Sequence, residues 1–142
     1  MKMRQRLLRD RGTALIEAAM TVPLILLIMV GIFEVGRAYQ TWQVLTNAAR
    51  EGARIAVLEG PTDADVTTTV RNYLTSGRLT NASSASITVV RNVPFGSVTA
   101  SRVTVNYPFQ FIVLNPVARL VRSSSAVGTP LTMQSSALMR NE

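Results

Sequence analysis

The sequence of 142 residues contains no cysteine and no histidine. Disulfides are therefore excluded, and so are most zinc sites and any nucleophile that depends on a Ser-His or Cys-His pair. The chain also lacks a phosphate-binding glycine loop, a dinucleotide-binding fingerprint and a serine-centred nucleophile elbow. Asp63 and Asp65 stand close together, but two carboxylates make a poor calcium site and helix capping explains them at least as well. We expect no enzymatic activity, no metal and no cofactor.

Charge is absent from residues 18–33, a run of 16 residues that would form roughly 24 Å of helix. Extending the run to residues 13–36 gives roughly 36 Å, enough to cross a bilayer of about 30 Å, with only Glu17 and Glu34 interrupting it. We predict a transmembrane helix over residues 13–37, slightly kinked at Pro23, which lacks a backbone donor. An ionisable group in such a helix usually marks function, so Glu17 needs an explanation.

The formal charge of +7 is unevenly distributed. Five basic residues and Asp10 leave +4 in the first twelve residues, whereas ten Arg and seven acids leave +3 in residues 13–142. Because basic flanks stay cytoplasmic, the N-terminus is expected inside and the C-terminal part outside. No nucleic-acid-binding motif accompanies the charge, so we expect no nucleic acid as a partner.

Three interpretations of the N-terminus compete. In the first, residues 1–37 are a plain signal-anchor. In the second, they are a secretory signal peptide that is cut near Gly36-Arg37-Ala38, and in the third they begin with a leader of the pilin type. In the third, residues 1–12 are a basic leader, cleavage follows Gly12 on the cytoplasmic side, and Thr13 becomes the new N-terminus. A glycine with a glutamate five residues on, between a basic leader and an apolar helix, favours this third interpretation.

The pilin-type interpretation gives Glu17 a physical role. Cleavage would create an α-amine at Thr13, and the Glu17 carboxylate of one subunit could pair with the amine of its neighbour. A polar pair within an apolar seam specifies the register of packed helices. The simpler alternative is that Glu17 pairs with the Thr13 amine of its own chain, one turn away.

Several segments together resemble the TadE-like family, the pilin-like proteins of tight-adherence (Flp) pilus systems. Residues 11–19 read RGTALIEAA and are followed by Pro23 in a Leu/Ile run, residues 31–37 read GIFEVGR, and residues 47–54 read NAAREGAR. The ending, residues 131–142, is also similar to the close of that family's domain. The resemblance is strongest over residues 11–56.

The resemblance implies a minor pilin or pseudopilin that helps assemble an adhesive, type IV-related pilus. It implies a prepilin peptidase, other pilin or pseudopilin subunits, inner-membrane assembly proteins and the lipid bilayer as partners. The expected location is the bacterial inner membrane, with the C-terminal domain periplasmic or extracellular. A head of over eighty residues, and Ala18 where the short major pilins often carry an aromatic residue, argue against the major subunit. A TadF- or TadG-like type stays open, as does a membrane-anchored or released binding domain unrelated to pili.

The helix is expected to continue outside the membrane over residues 38–60, ending at Gly60-Pro61. Ala38, Trp42, Leu45, Ala49, Gly52 and Ala56 recur with heptad-like spacing and predict a stripe of mainly small residues. This stripe would contact neighbouring pilins, or the head's own strands would pack on it, especially on its C-terminal half. The residues that we predict for helix packing and partner contact are Glu17, Pro23, Glu34, Trp42, Ala49 and Gly52.

Residues 61–142 are expected to form a small α+β head domain. Thr62 and Asp65 predict a capping box before a helix over residues 63–76, and Pro116 begins a second short helix that ends near residue 121. Alternating residues predict strands over residues 86–93, 101–111 and 131–139. Pro108 should lie at a sheet edge or a strand exit. The expected product is a three-stranded antiparallel sheet against the outer half of the long helix.

Overall fold

A single helix dominates the structure. The structure is a computed structural model that describes residues 2–121 and 129–141. Side chains are described from residue 12 onward, except those of residues 120 and 121. Helix α1, Lys2–Ala56, has 55 residues and a length of roughly 80 Å. It passes through Pro23 and carries an apolar segment long enough to cross a membrane within Gly12–Ala56. The basic leader therefore continues the same helix as the apolar segment.

The end of α1 lies four residues before the predicted end at Gly60. The Val57 N–H still donates to the Ala53 carbonyl, but the Leu58 N–H donates to Ile55, one residue closer, which tightens the last turn. Gly60 then adopts a φ of 106°, a conformation that favours glycine. The chain leaves the helix at Ala56 and reverses direction before helix α2.

Helix α2, Asp63–Ser76, begins with the predicted capping box. The Thr62 hydroxyl accepts a hydrogen bond from the Asp65 N–H at 3.3 Å, and the Asp65 carboxylate accepts one from the Thr62 N–H at 2.8 Å. These bonds satisfy two of the backbone donors that a helix start leaves unpaired. Hydrogen bonds from Thr62 lower the pKa of Asp65 below its usual value. Asp65 therefore has the capping function that we weighed against a cation site.

The sheet has three antiparallel strands in the order β1-β2-β3: β1 is Ser86–Phe95, β2 is Val98–Phe109 and β3 is Leu131–Arg140. A two-residue turn joins β1 to β2, with Gly96 at a φ of 62°. Helix α3, Leu114–Val121, lies in the connection from β2 to β3 and begins two residues before the predicted start. Residues 122–128, between α3 and β3, lie outside the described residues.

Pro108 lies in the central strand, one residue before the end of β2. It pairs with Thr132 of β3, whereas the pairing with β1 extends only to Asn106. Pro108 therefore has a strand on one side only, which agrees with the predicted strand exit and suits a residue that cannot donate a backbone hydrogen bond.

A β-bulge in β1 explains why its alternation is incomplete in the sequence. The register shifts between Val90 and Val93, and Asn92 has a positive φ of 56°. The Arg91 guanidinium donates to the carbonyls of Ala56 and Pro61, at 2.7 and 2.8 Å, and to the Asp63 carboxylate at 2.7 Å. Arg91 thus joins the end of α1, the following loop and the start of α2.

The core of the head forms between the outer half of α1, helix α2 and one face of β2. Small residues of α1 allow the other elements to approach closely: a Cβ atom on Gly52 would lie 2.5 Å from Val70 Cγ2 and 3.1 Å from Val103 Cγ1. Gly77 approaches Val44 of α1 in the same way. The buried residues of this core are Leu45, Ala48, Ala49, Ala53 and Ala56 of α1, Val66, Val70 and Leu74 of α2, and Val103, Val105, Tyr107 and Phe109 of β2.

The structure confirms the α+β class and the three-stranded antiparallel sheet packed on the outer half of the long helix. The alternation of β2 is also confirmed, because Val103, Val105, Tyr107 and Phe109 are all buried. The last strand shows a weaker version of the pattern: Met133 and Ala137 pack against the core, whereas Leu131 at its start is 52% exposed.

We predict that Gly52→Val destabilises the head by about 1–3 kcal/mol relative to the identical change at Gly36. The added side chain would overlap Val70, whereas a Cβ atom on Gly36 meets nothing within 4 Å. Using the same substitution at both positions makes the change in helix propensity comparable. The measurement is urea unfolding in detergent micelles, followed by the fluorescence of Trp42. Equal stability of the two variants would show that the close approach at Gly52 is unnecessary.

Candidate functional site

The apolar segment of α1 projects from the head with its side chains exposed on every side. Six consecutive residues from Leu24 to Met29 are each 50–60% exposed, and six residues of helix cover more than a full turn. A helix that is apolar all round is normally covered by lipid or by other protein. The exposed surface also includes Leu15, Ile16, Met20, Ile32 and Phe33. This segment is the first element of the candidate site.

The predicted processing residues lie at the start of this segment. Gly12 and Thr13 are both within the continuous helix, and a Cβ atom on Gly12 would meet nothing within 4 Å. Glu17 lies one turn beyond Thr13 and is exposed. Its backbone carbonyl accepts a hydrogen bond from the Thr21 hydroxyl, but its carboxylate makes no hydrogen bond or ion pair with the described part of the chain.

Pro23 is exposed and lies in the same apolar surface. The slight kink at Pro23 stays a prediction. Gly12, Thr13, Glu17 and Pro23 are separated along α1 from the head, whereas Glu34, Trp42, Ala49 and Gly52 lie within or beside it.

Glu34 has a different environment from Glu17, because its side chain is fully buried within the single chain, without a second subunit. Its Oε1 atom accepts a hydrogen bond from the Val113 N–H at 2.6 Å, and its Oε2 atom pairs with Arg37 Nη1 at 2.7 Å. Val113 belongs to the connection between β2 and α3, 79 positions along the chain. Glu34 therefore joins the outer end of the apolar segment to the head.

Arg37 extends this contact to the core. Its guanidinium carbon lies 5.2 Å from the centroid of the Phe109 ring, a distance typical of cation–π contact. Phe111 packs edge-on against Phe109, with the ring centroids 5.1 Å apart. We refer to Glu34, Arg37, Phe109 and the Val113 amide as the juxtamembrane contact.

Trp42, Ala49 and Gly52 lie further out on the predicted stripe. Ala49 and Gly52 are buried against α2 and the sheet, so the surface that they form is occupied by the chain's own head. Trp42 is 46% exposed, and its ring lies 6.3 Å from that of Tyr39. Of these three residues, Trp42 alone is exposed to a second molecule.

Two ion pairs with the same spacing on α1 differ in burial. Glu51 and Arg54 form an i, i+3 pair like Glu34 and Arg37, but both side chains remain partly exposed, at 33% and 56%. The Arg54 hydrogen bond lowers the pKa of Glu51 below its usual value. Exposed pairs of this kind contribute little to stability. The Glu51–Arg54 pair is therefore a natural control for the juxtamembrane contact.

The predicted site residues thus form three separate groups along α1. Gly12, Thr13, Glu17 and Pro23 lie on the exposed apolar segment, Glu34 lies in the juxtamembrane contact, and Trp42, Ala49 and Gly52 lie at the head. Our sequence analysis missed Arg37, although its i, i+3 spacing from Glu34 is a recognisable ion-pair signal. The described residues contain no group of three or more acids that could hold a metal ion.

Comparison with known families supports the resemblance over the helix. Residues 12–54 match the family model described as TadE-like protein, the family that the motifs resemble. The match begins at Gly12 and covers the apolar segment and most of the outer half of α1, but not the sheet. No curated protein and no solved structure matches the chain. The apolar helix within the matched region is consistent with membrane anchoring.

We predict that Glu34→Ala destabilises the head by about 3 kcal/mol, because it leaves the Arg37 guanidinium and the Val113 N–H without their acceptor. Glu51→Ala should cost less than about 1 kcal/mol. Urea unfolding in micelles would measure both variants, and hydrogen exchange should accelerate at the Val113 amide in Glu34→Ala only. A similar loss in the two variants would mean that burial adds nothing to the Glu34 pair.

Proposed function

We propose that the protein is a pilin-like component of a tight-adherence pilus, cleaved after Gly12 by a prepilin peptidase and retained in the membrane by α1. The observation that carries this proposal is the exposed apolar helix with the Glu17 carboxylate one turn past Thr13. The family match over residues 12–54 supports it, because the matched region begins at the proposed cleavage site.

The surroundings of Gly12 support a role in processing. Glycine in a helix interior costs about 1 kcal/mol relative to alanine, so its presence needs a reason. Packing within the described part of the chain supplies none at Gly12, Gly31 or Gly36, since a Cβ atom at each would meet nothing within 4 Å, and of the three only Gly12 is followed by a glutamate five residues on. A peptidase that must bring the backbone close to its catalytic groups would supply one, because a side chain hinders close approach.

Cleavage would give Glu17 a partner. The product would begin at Thr13, and its new α-amine would lie within the apolar segment, where a charge is expensive without an opposite charge nearby. The Glu17 carboxylate of an adjacent subunit offers that charge, and pairing the two groups would specify the stagger between neighbouring helices. Exposed apolar residues on all sides of α1 would provide the remaining contacts.

The contacts of Glu34 and Arg37 argue against the alternative of a released domain. Cleavage at Gly36-Arg37-Ala38 would give a product that begins near Tyr39 and lacks both Glu34 and Arg37. The product would lose the bond to the Val113 N–H and the contact between Arg37 and Phe109. A head that uses both residues is better suited to remaining attached to α1.

We predict that Gly12→Val blocks cleavage and that Gly31→Val does not. Both glycines lie in α1, and a Cβ atom on either would meet nothing within 4 Å, so the head should fold equally well in both variants. N-terminal mass spectrometry of the membrane fraction, from cells with an active prepilin peptidase, should find Thr13 first in the wild type and in Gly31→Val. An intact Met1 end in the wild type would contradict the proposal.

We predict that Glu17→Ala inserts into the membrane normally but is incorporated into pili at least about tenfold less, because the neighbour's amine loses its partner. The control is Glu59→Ala, which removes an exposed acid beyond the end of α1. Quantitative immunoblotting of sheared pili and of the membrane fraction would give the ratio. Undiminished incorporation of Glu17→Ala would refute the pairing between subunits.

A further inference from the structure

We infer that the end of the head that contains Ile112 and helix α3 rests on the outer surface of the lipid bilayer. This inference rests on the membrane insertion of α1 that the proposed function includes, but not on cleavage after Gly12. Three observations carry it: the direction of β2, the height of the juxtamembrane contact along α1, and the exposed apolar residues at that height.

The direction of β2 brings this end of the head toward the membrane. Val103 lies beside Gly52, whereas Phe109 lies beside Arg37. Six residues of strand span roughly 20 Å, and the fifteen residues of helix between Gly52 and Arg37 span roughly 22 Å, so β2 runs antiparallel to the outer half of α1. The connection from β2 to β3 therefore leaves the sheet at the end nearest the apolar segment.

The hydrogen bond between Glu34 and the Val113 N–H determines the height of this connection. If Glu17 lies at the inner boundary of the hydrocarbon, the twenty residues to Arg37 span roughly 30 Å, the thickness of the hydrocarbon core. Glu34 and Arg37 then lie at the outer boundary, and the 2.6 Å bond from Val113 places residues 112–114 at the same level. Tyr39 and Trp42 follow within the headgroup region, where aromatic side chains are common.

The side chains at this level are suited to a bilayer surface. Ile112 is 59% exposed and Val117, on α3, is 41% exposed. Ile112 also lies at the rim of a cavity of about 240 Å³ that Arg37 and Arg78 line. Apolar side chains beside cationic ones are typical of segments that lie in the interface between headgroups and acyl chains. Ile112 adjoins Val113, whose N–H binds Glu34 at the outer end of the exposed apolar segment, and this proximity supports lipid as the occupant.

The absence of cysteine allows a direct test with single-cysteine variants of the full-length protein. Ile112→Cys and Val117→Cys would carry a small fluorophore, and each protein would be placed, one copy per disc, in nanodiscs of phosphatidylcholine and phosphatidylglycerol. Part of the phosphatidylcholine would be spin-labelled near the headgroup, so that quenching reports contact with lipid. Phe95→Cys is the matched control, because Phe95 is 57% exposed and lies at the opposite end of the sheet.

We expect quenching at positions 112 and 117 to exceed that at position 95 by at least about twofold. Quenching at either position that equals the value at position 95 would overturn the inference and leave a second protein subunit as the alternative occupant of this surface. Ile28→Cys, measured with phosphatidylcholine that is spin-labelled near the end of its acyl chain because residue 28 would lie near the bilayer centre, separates the two levels of failure. Quenching at position 28 but not at 112 refutes only the contact of the head with lipid, whereas no quenching at position 28 refutes the insertion of α1 as well.

Discussion

The close packing of the head against small residues of α1 is the constraint on which the rest of the structure depends. The three-stranded sheet and α2 do not enclose a core between themselves, because much of the buried apolar surface belongs to α1. Gly52 permits the approach of Val70 and Val103, and alanines occupy most of the neighbouring buried positions. A small domain without disulfides buries only a modest apolar area, so sharing a helix with the apolar segment enlarges the core that it can build.

The juxtamembrane contact explains how one helix can serve two environments. The apolar segment exposes apolar side chains on all sides, whereas the outer half of α1 packs one of its faces against the head. Glu34 and Arg37 lie where these requirements meet, and their charges are satisfied by each other, by the Val113 amide and by the ring of Phe109. A buried carboxylate held by Arg37 and by the Val113 amide is specific in its geometry, so it favours one arrangement of the head on α1.

Local signals in the sequence predicted the elements whose cause is local. The capping box at Thr62 and Asp65, the end of α2 at Ser76 and the buried face of β2 all follow from spacing within a few residues. Our sequence analysis predicts the end of α1 four residues too late. At the observed end, the Ala56 carbonyl accepts a hydrogen bond from Arg91, which lies in a bulge of β1 and is distant in the sequence. That bulge has no local signature in the sequence beyond an interrupted alternation.

The residues of the candidate site also differ in how far local spacing predicts them. Gly12, Thr13 and Glu17 could be selected from spacing alone, because their proposed roles concern one short segment. The burial of Glu34 could not, since it depends on a backbone amide 79 positions away. Ala49 and Gly52 show the remaining difficulty: a stripe of small residues predicts close packing but does not distinguish another subunit from the chain's own strands.

The uninterrupted path of α1 from the leader to Ala56 has a mechanical consequence. No flexible linker separates the apolar segment from the head, so a force along the helix axis is transmitted to the head without loss. If the helix shifts by one turn relative to its neighbours, the head moves with it by roughly 5.4 Å. If α1 is inserted in a bilayer as we propose, the position of the head reports how far α1 has been drawn out of it.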